Sequence, residues 1–115
     1  MAGEGERRGQ EVRPHLKIMA RIFDILGSEA RLKVLLSLAE GRKTWTELMF
    51  EHKMNPKVLR DALRTLRNAG LVRKAKPFGF ELTVVGSSVL RLLLEPLASL
   101  PEDLLRLLEA LLGEE

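Results

Sequence analysis

Twenty-two consecutive residues at positions 55–76, NPKVLRDALRTLRNAGLVRKAK, constrain this chain more than any other stretch. They predict a capped helix over residues 56–69 that carries cations along one face and runs into a short basic hairpin. Asn55 offers a side-chain oxygen to the free N–H groups of the first turn, and Pro56 suits the first helical position, where its missing N–H costs nothing. At about 100° per residue, Val58, Leu59, Ala62, Leu63 and Leu66 share one arc. Lys57, Arg60, Arg64 and Arg67 share the opposite arc. Gly70 is the expected left-handed stop, after which Leu71 can fold back on the last turn. An apolar back and a cationic front is what a helix lying in a DNA major groove needs. Arg can read guanine O6 and N7 with two hydrogen bonds, and Lys or Arg can neutralise phosphates. The alternative for such a face is a row of solvated surface cations.

A chain of 115 residues suits one domain with one core. With 45% apolar and 30% charged residues it should be globular and soluble. No apolar run is long enough to span a membrane and no secretory signal is visible, so no membrane partner is expected and the expected location is cytoplasmic. Without cysteine there are no disulfides, thiolate metal sites or Cys nucleophiles. Net charge is only +3 but is unevenly placed. Residues 53–76 hold eight basic residues against one acid, Asp61, whereas residues 95–115 hold six acids and one base, Arg106. That asymmetry suggests an anionic partner for one face only.

Along the chain, residues 1–12 are Gly-rich and charged without periodicity, and are expected to be disordered. A first helix is predicted over residues 14–26, striped by Leu16, Met19, Ile22, Phe23 and Leu26 and ended by Gly27. Ser28 caps a second over residues 29–40, with Leu32, Leu35 and Leu36 on one side and Val34 and Leu38 beside them. Thr44 and Glu47 form a capping box for a short helix through His52, and a tight turn then leads to the basic helix. Two helices so joined make a helix-turn-helix. Residues 71–74 and 80–84, punctuated by Pro77 and Gly79, make a two-stranded hairpin within a wing spanning residues 72–84. Residues 86–97 are helical again. A second capping box of Ser99 and Glu102 is expected to open a last helix to Leu112. The fold class is therefore mainly α with a small β-hairpin, a winged helix-turn-helix. Residues 13–97 form the DNA-binding domain, and residues 98–115 form a C-terminal dimerisation helix within the same domain.

Lys57, Arg60 and Arg64 are the candidates to reach base edges, with Asp61 either accepting from cytosine N4 or pairing with Lys57 or Arg64 along the helix. Thr65, Arg67 and Asn68 are candidate phosphate contacts, as are a hydroxyl or N–H from Thr44 and Thr46. Arg73, Lys74 and Lys76 serve the wing. Phe78 is read as hairpin packing ahead of a minor-groove wedge, and Trp45 as a core or interface anchor ahead of a stacking platform.

At this point LGSEARLKVLLSLAEG, WTEL, NPKVLRDALRTLRNAGLVRK and FELTVVGSSVL together resemble the ArsR-type (arsenic-repressor-like) winged-helix transcriptional regulators, over roughly residues 18–97. The AGLV after the basic helix and the ELTVVG leaving the wing carry most of the likeness. The resemblance implies sequence-specific duplex binding by a homodimer, with a metal or another signal controlling release. This chain lacks the cysteines of the soft-metal sensors, so no metal and no cofactor is expected; His15 and His52 read as surface histidines. Scarce Asn and Gln fit a thermophilic, archaeal source.

The acidic end is leucine-rich. Leu104, Leu107, Leu108 and Leu111 in the last helix exceed what a domain this small can bury, and with Leu16, Met19 and Phe23 they predict a dimer interface. The expected function is a dimeric, double-stranded-DNA-binding transcriptional regulator. The alternative is a winged-helix module that docks on a protein of the transcription machinery. An enzyme is not expected, because no Gly-rich phosphate loop, nucleophile arrangement or metal-ligand spacing occurs. A small-molecule effector fits the reading, but no residue marks its site.

Overall fold

A computed structural model describes residues 3–113. Helix α1 (Glu4–Val12) runs through a single 3-10 turn (Arg13–His15) into α2 (Leu16–Leu26). The disorder expected through residue 12 is thus corrected within the described residues, where residues 4–12 are helical and continue the line of helix-forming residues into the next segment. Pro14 sits in the first turn of the 3-10 segment, where it needs no N–H. Helix α3 (Glu29–Leu38) starts where predicted, with the Ser28 hydroxyl accepting from the Arg31 N–H at 3.3 Å. The Arg31 guanidinium then reaches back to the last carbonyls of α2, at 2.6 Å to Ile25 and 3.2 Å to Asp24. One side chain so satisfies the Ile25 carbonyl, shares the Asp24 carbonyl with the Gly27 N–H, and sets the corner between α2 and α3.

Helices α4 (Trp45–His52) and α5 (Pro56–Asn68) form the helix-turn-helix. Lys53 closes α4 in the left-handed conformation, at φ 50°. Gly70, at φ 80°, ends α5, and the Leu71 N–H folds back to the Leu66 carbonyl at 2.9 Å. Strands β1 (Val72–Lys74) and β2 (Phe80–Leu82) pair antiparallel, with Arg73 opposite Glu81. Lys43 adds a bridge to Phe80 through two backbone hydrogen bonds of 3.1 and 2.8 Å, so the segment before α4 extends the wing sheet.

Leu26, Val34, Leu35, Leu38, Leu48, Leu59, Leu66, Leu71 and Val72 meet in one core. Each fully buried Leu contributes roughly 1.5–3 kcal/mol by leaving water, so this cluster holds the helix-turn-helix and the wing base as one unit. Trp45 packs half-buried against it, as its anchor role predicted. Leu36 instead faces outward, one residue from the buried arc of α3.

Thr83 caps α6 (Val84–Val89), accepting from the Gly86 N–H at 3.0 Å, so the helix starts two residues earlier than predicted. A wide π-type turn (Leu90–Leu94) carries it into α7 (Glu95–Ala98). Pro96 accounts for the widening, because it has no N–H to reach the Leu92 carbonyl. Helix α8 (Glu102–Leu112) then turns away by 92°. The Ser99–Glu102 capping box does not form. Pro101 is the capping position, Glu102 is already the first helical residue, and the Ser99 hydroxyl donates back to the Glu95 carbonyl at 2.8 Å. Among the described residues no single helix is long and apolar enough to cross a membrane.

Candidate nucleic-acid interface

Helix α5 presents the two-faced surface its sequence predicts. Leu59, Ala62, Leu63 and Leu66 are buried, and Lys57, Arg60, Arg64, Arg67 and Asn68 are exposed on the other side. Val58, assigned to the apolar arc, lies at its edge and is exposed. The Asn55 side chain accepts from the Lys57 N–H at 2.7 Å, which anchors the first turn and with it the start of the cationic face.

The cations differ in how committed they are. Asp61 pairs with Arg64 one turn on, one of the two intrahelical partners its sequence position offers. Both groups are exposed, which makes the pair weak and open to exchange. Arg73 is held across the hairpin by Glu81 at 2.7 Å. Lys57, Arg60, Arg67, Lys74 and Lys76 have no side-chain ion pair or hydrogen bond among the described residues. Arg42, which the sequence reading passed over, donates to the Lys76 carbonyl at 2.7 Å and adds a cation at the wing base. Its signal was the basic pair Arg42–Lys43 directly after Gly41.

Three expectations change in detail. The Thr44 N–H, a candidate phosphate donor, is already used: it donates to Glu47 at 2.8 Å, while the Glu47 N–H donates to the Thr44 hydroxyl oxygen at 3.1 Å. The Thr44 backbone N–H first, and the Thr44 side chain second, hold the Glu47 carboxyl below its usual range, which places an anion at the start of α4. Thr46 remains exposed. Thr65 is half-buried on the flank of α5 that faces α2, and shares a cleft with Asn68, Arg21 and Ile25. Phe78 is 63% exposed at the hairpin tip, so it is not a packing residue of the hairpin; Phe80 fills that role against the core.

Behind α4 lies a polar relay that spacing did not reveal. Ser37, 3% exposed, donates its hydroxyl hydrogen to Glu51. That hydroxyl has one hydrogen, so the 2.7 Å contact with His52 Nε2 needs the imidazole N–H as donor. Lys43 bridges Glu51 at 3.2 Å and Glu40 at 3.0 Å. The Ser37 bond and then the Lys43 bond hold the Glu51 carboxyl below its usual range, and the two carboxylates raise the Lys43 pKa. This is a clamp between α3 and α4. The Ser37 oxygen is buried and Glu51 bonds the serine, so the set lacks the acid–base–nucleophile order of a hydrolase. Among the described residues no group of three or more His, Asp or Glu is gathered for a metal ion.

The acidic end stands apart from this face. Helix α8 buries none of its residues. Leu104, Leu107 and Leu111 are exposed, as are Leu16 and Phe23 of α2, while Met19 and Leu108 are half-buried.

Residues 28–74 match the family described as bacterial regulatory protein, arsR family. A solved structure, the reduced form of the transcriptional regulator YodB from B. subtilis, shares the fold with a TM-score of 0.61 and 22% identity. That match covers 70% of this chain and 85% of the other. No curated protein matches the sequence significantly. Fold and face together define a winged helix-turn-helix protein of the DNA-binding transcription-regulator class. The similarity to the arsR family spans residues 28–74, from α3 through the helix-turn-helix to the first wing strand.

Proposed function

We propose that the protein binds double-stranded DNA sequence-specifically as a homodimer and so regulates transcription in the cytoplasm. Helix α5 lies in the major groove and the wing lies on the adjacent backbone or minor groove. The observation that carries this reading is the set of uncommitted cations Lys57, Arg60 and Arg67 on the exposed face of a helix whose other face is buried in the core. Lys57, Arg60 and Arg64 then reach base edges, with Asp61 orienting the Arg64 fork. Arg67, Asn68 and Thr46 contact phosphates, and Arg73, Lys74 and Lys76 track the strand beside the wing. Thr44 acts mainly through its cap, and Thr65 through its place beside α2.

The leucines of α8 support the dimer. An unburied stripe of Leu104, Leu107 and Leu111, beside exposed Leu16 and Phe23, is costly in water and is covered by a second copy. Two recognition helices about one turn apart, ~34 Å, would then meet a palindromic site.

The test is binding of a duplex from the gene's own upstream region against scrambled DNA across a salt series. The reading expects a preference that survives physiological salt. Converting Arg60 and Arg64 to Glu should abolish binding, and Lys74→Gln with Lys76→Gln should reduce the log–log salt slope by about 2, at roughly 0.9 per phosphate lost. A folded R60E/R64E variant that binds the upstream duplex unchanged would assign recognition elsewhere. Sedimentation of Leu107→Asp tests the dimer: a dimer that persists with this charge in place would remove α8 from the interface.

A further inference from the structure

A cavity of ≈ 300 Å³ lies between α2, the end of α5 and α6. Ile18, Ile22, Ile25, Leu71, Val85 and Val89 wall it, and Arg21 stands among them as the sole charged residue of the lining. The space is open on one side and has room for far more than one water, whose share of liquid is about 30 Å³. It falls at the lower end of the ~300–1,000 Å³ usual for small-molecule sites. Ile18 and Val85, 60% and 55% exposed, form its mouth.

The polar end is as specific as the apolar one. Arg21 is exposed, and its side chain has no hydrogen bond or ion pair among the described residues. It also lines the adjoining cleft with Thr65 and Asn68 of α5, which supply a hydroxyl and an amide. The cavity and the cleft share Arg21, Ile25 and Ala69, so a guanidinium marks the boundary between a greasy chamber and a polar notch. The end of α5 places roughly half a negative charge nearby, but the full charge of Arg21 outweighs it.

We propose that this cavity binds an amphipathic monocarboxylate, its hydrocarbon body among the isoleucines and valines and its carboxylate on Arg21, with Thr65 and Asn68 beside it. A single cation matches a single negative charge, and the planar guanidinium matches a carboxylate. The apolar walls exclude a second ionised group. The residues that touch such a ligand also end the recognition helix and begin the wing, so it is placed to act as an effector. That role rests on the DNA-binding reading; occupancy does not, and the test reads occupancy without DNA.

Full-length protein with labelled Ile, Leu and Val methyls is titrated with octanoate and, separately, with octanol. Octanoate at millimolar concentration should move the methyls of Ile22, Ile25 and Val89. Arg21→Gln, a change at an exposed and unpaired side chain, should weaken octanoate about tenfold and leave octanol unchanged. Val85→Phe, which narrows the mouth, should weaken both. Several results would overturn the proposal: unmoved cavity methyls, equal octanoate binding by R21Q and the parent, or shifts confined to the exposed leucines of α8. Cavity shifts that follow protein concentration with no ligand present would give the space to a second copy instead.

Discussion

Replacing Gly86 with Ala sets two effects of opposite sign against each other. Gly86 lies inside α6, where Ala is favoured over Gly by about 1 kcal/mol on helix propensity alone. A Cβ at this position, however, would lie 2.1 Å from the Leu71 carbonyl oxygen and 3.3 Å from a Leu82 methyl. The obstacle is backbone, so no side-chain rotation relieves it. That same oxygen accepts the Thr83 N–H at 3.0 Å, and the Thr83 hydroxyl bonds the Gly70 carbonyl at 2.5 Å. Helix α6 must retreat from the wing base by about 1 Å, breaking or stretching these bonds, which puts the cost near the upper end of overpacking, about 3 kcal/mol. Net of propensity the loss is about 2 kcal/mol, or roughly 8 °C in Tm at about 4 °C per kcal/mol for a chain of this length. Thermal unfolding followed by circular dichroism reads it directly, with Ser87→Ala as an exposed control in the same helix that should stay within about 0.5 kcal/mol of the parent. A G86A protein as stable as the parent, or more stable, would refute the packing argument and leave propensity as the only term.

Other outcomes follow from the same geometry. Thr44→Ala removes the cap of α4 and should cost about 1 kcal/mol in the same assay. Phe78→Ala should leave stability within about 0.5 kcal/mol, while Phe80→Ala, which empties part of the core rim, should cost about 2 kcal/mol or more; equal effects would contradict the contrast between them. The Glu51 carboxyl is depressed below its ordinary 4.5, by the Ser37 bond first and Lys43 second, so its contribution is present above that pH and fades as pH falls through the folded value. Glu51→Gln should therefore flatten the acid arm of the stability curve below pH 4.5, and an unchanged acid arm would remove Glu51 from the clamp.

Legibility in the sequence followed the range of the signal. The limits and faces of α5 could be read because cap, first-turn proline, stop glycine and helical period all lie within 16 residues and agree with one another. The same holds for the Thr44–Glu47 box, whose donors and acceptors are three residues apart. The Ser99–Glu102 pair had the right spacing and failed, since Pro101 takes the capping position and leaves Glu102 as the first helical residue, not the third. The Lys43–Phe80 bridge uses only main-chain atoms, so no side-chain pattern announces it. The Ser37 relay joins residues 14 and 15 positions apart, and a serine between Leu36 and Leu38 gives no periodic cue. In the candidate DNA site the cations were visible as types. Which of them are tied was not, because the Arg73–Glu81 pair depends on strand register.

Leu71 shows why the helix, the wing and the cavity belong to one argument. Its N–H closes the end of α5 on Leu66, its carbonyl receives Thr83 at the far side of the wing, and its side chain lies both in the core and in the cavity wall. Gly86 presses on the same carbonyl from α6. The setting of α5 relative to the wing therefore depends on this residue, which has little room to move. A packed contact of this kind changes by discrete repacking, not by gradual give. A ligand against Leu71 and Ala69 would act where α5 meets the wing, whereas the exposed cations of α5 could be exchanged without disturbing that joint. On the proposed readings, the exposed cations of α5 would carry recognition and the residues around Leu71 its control.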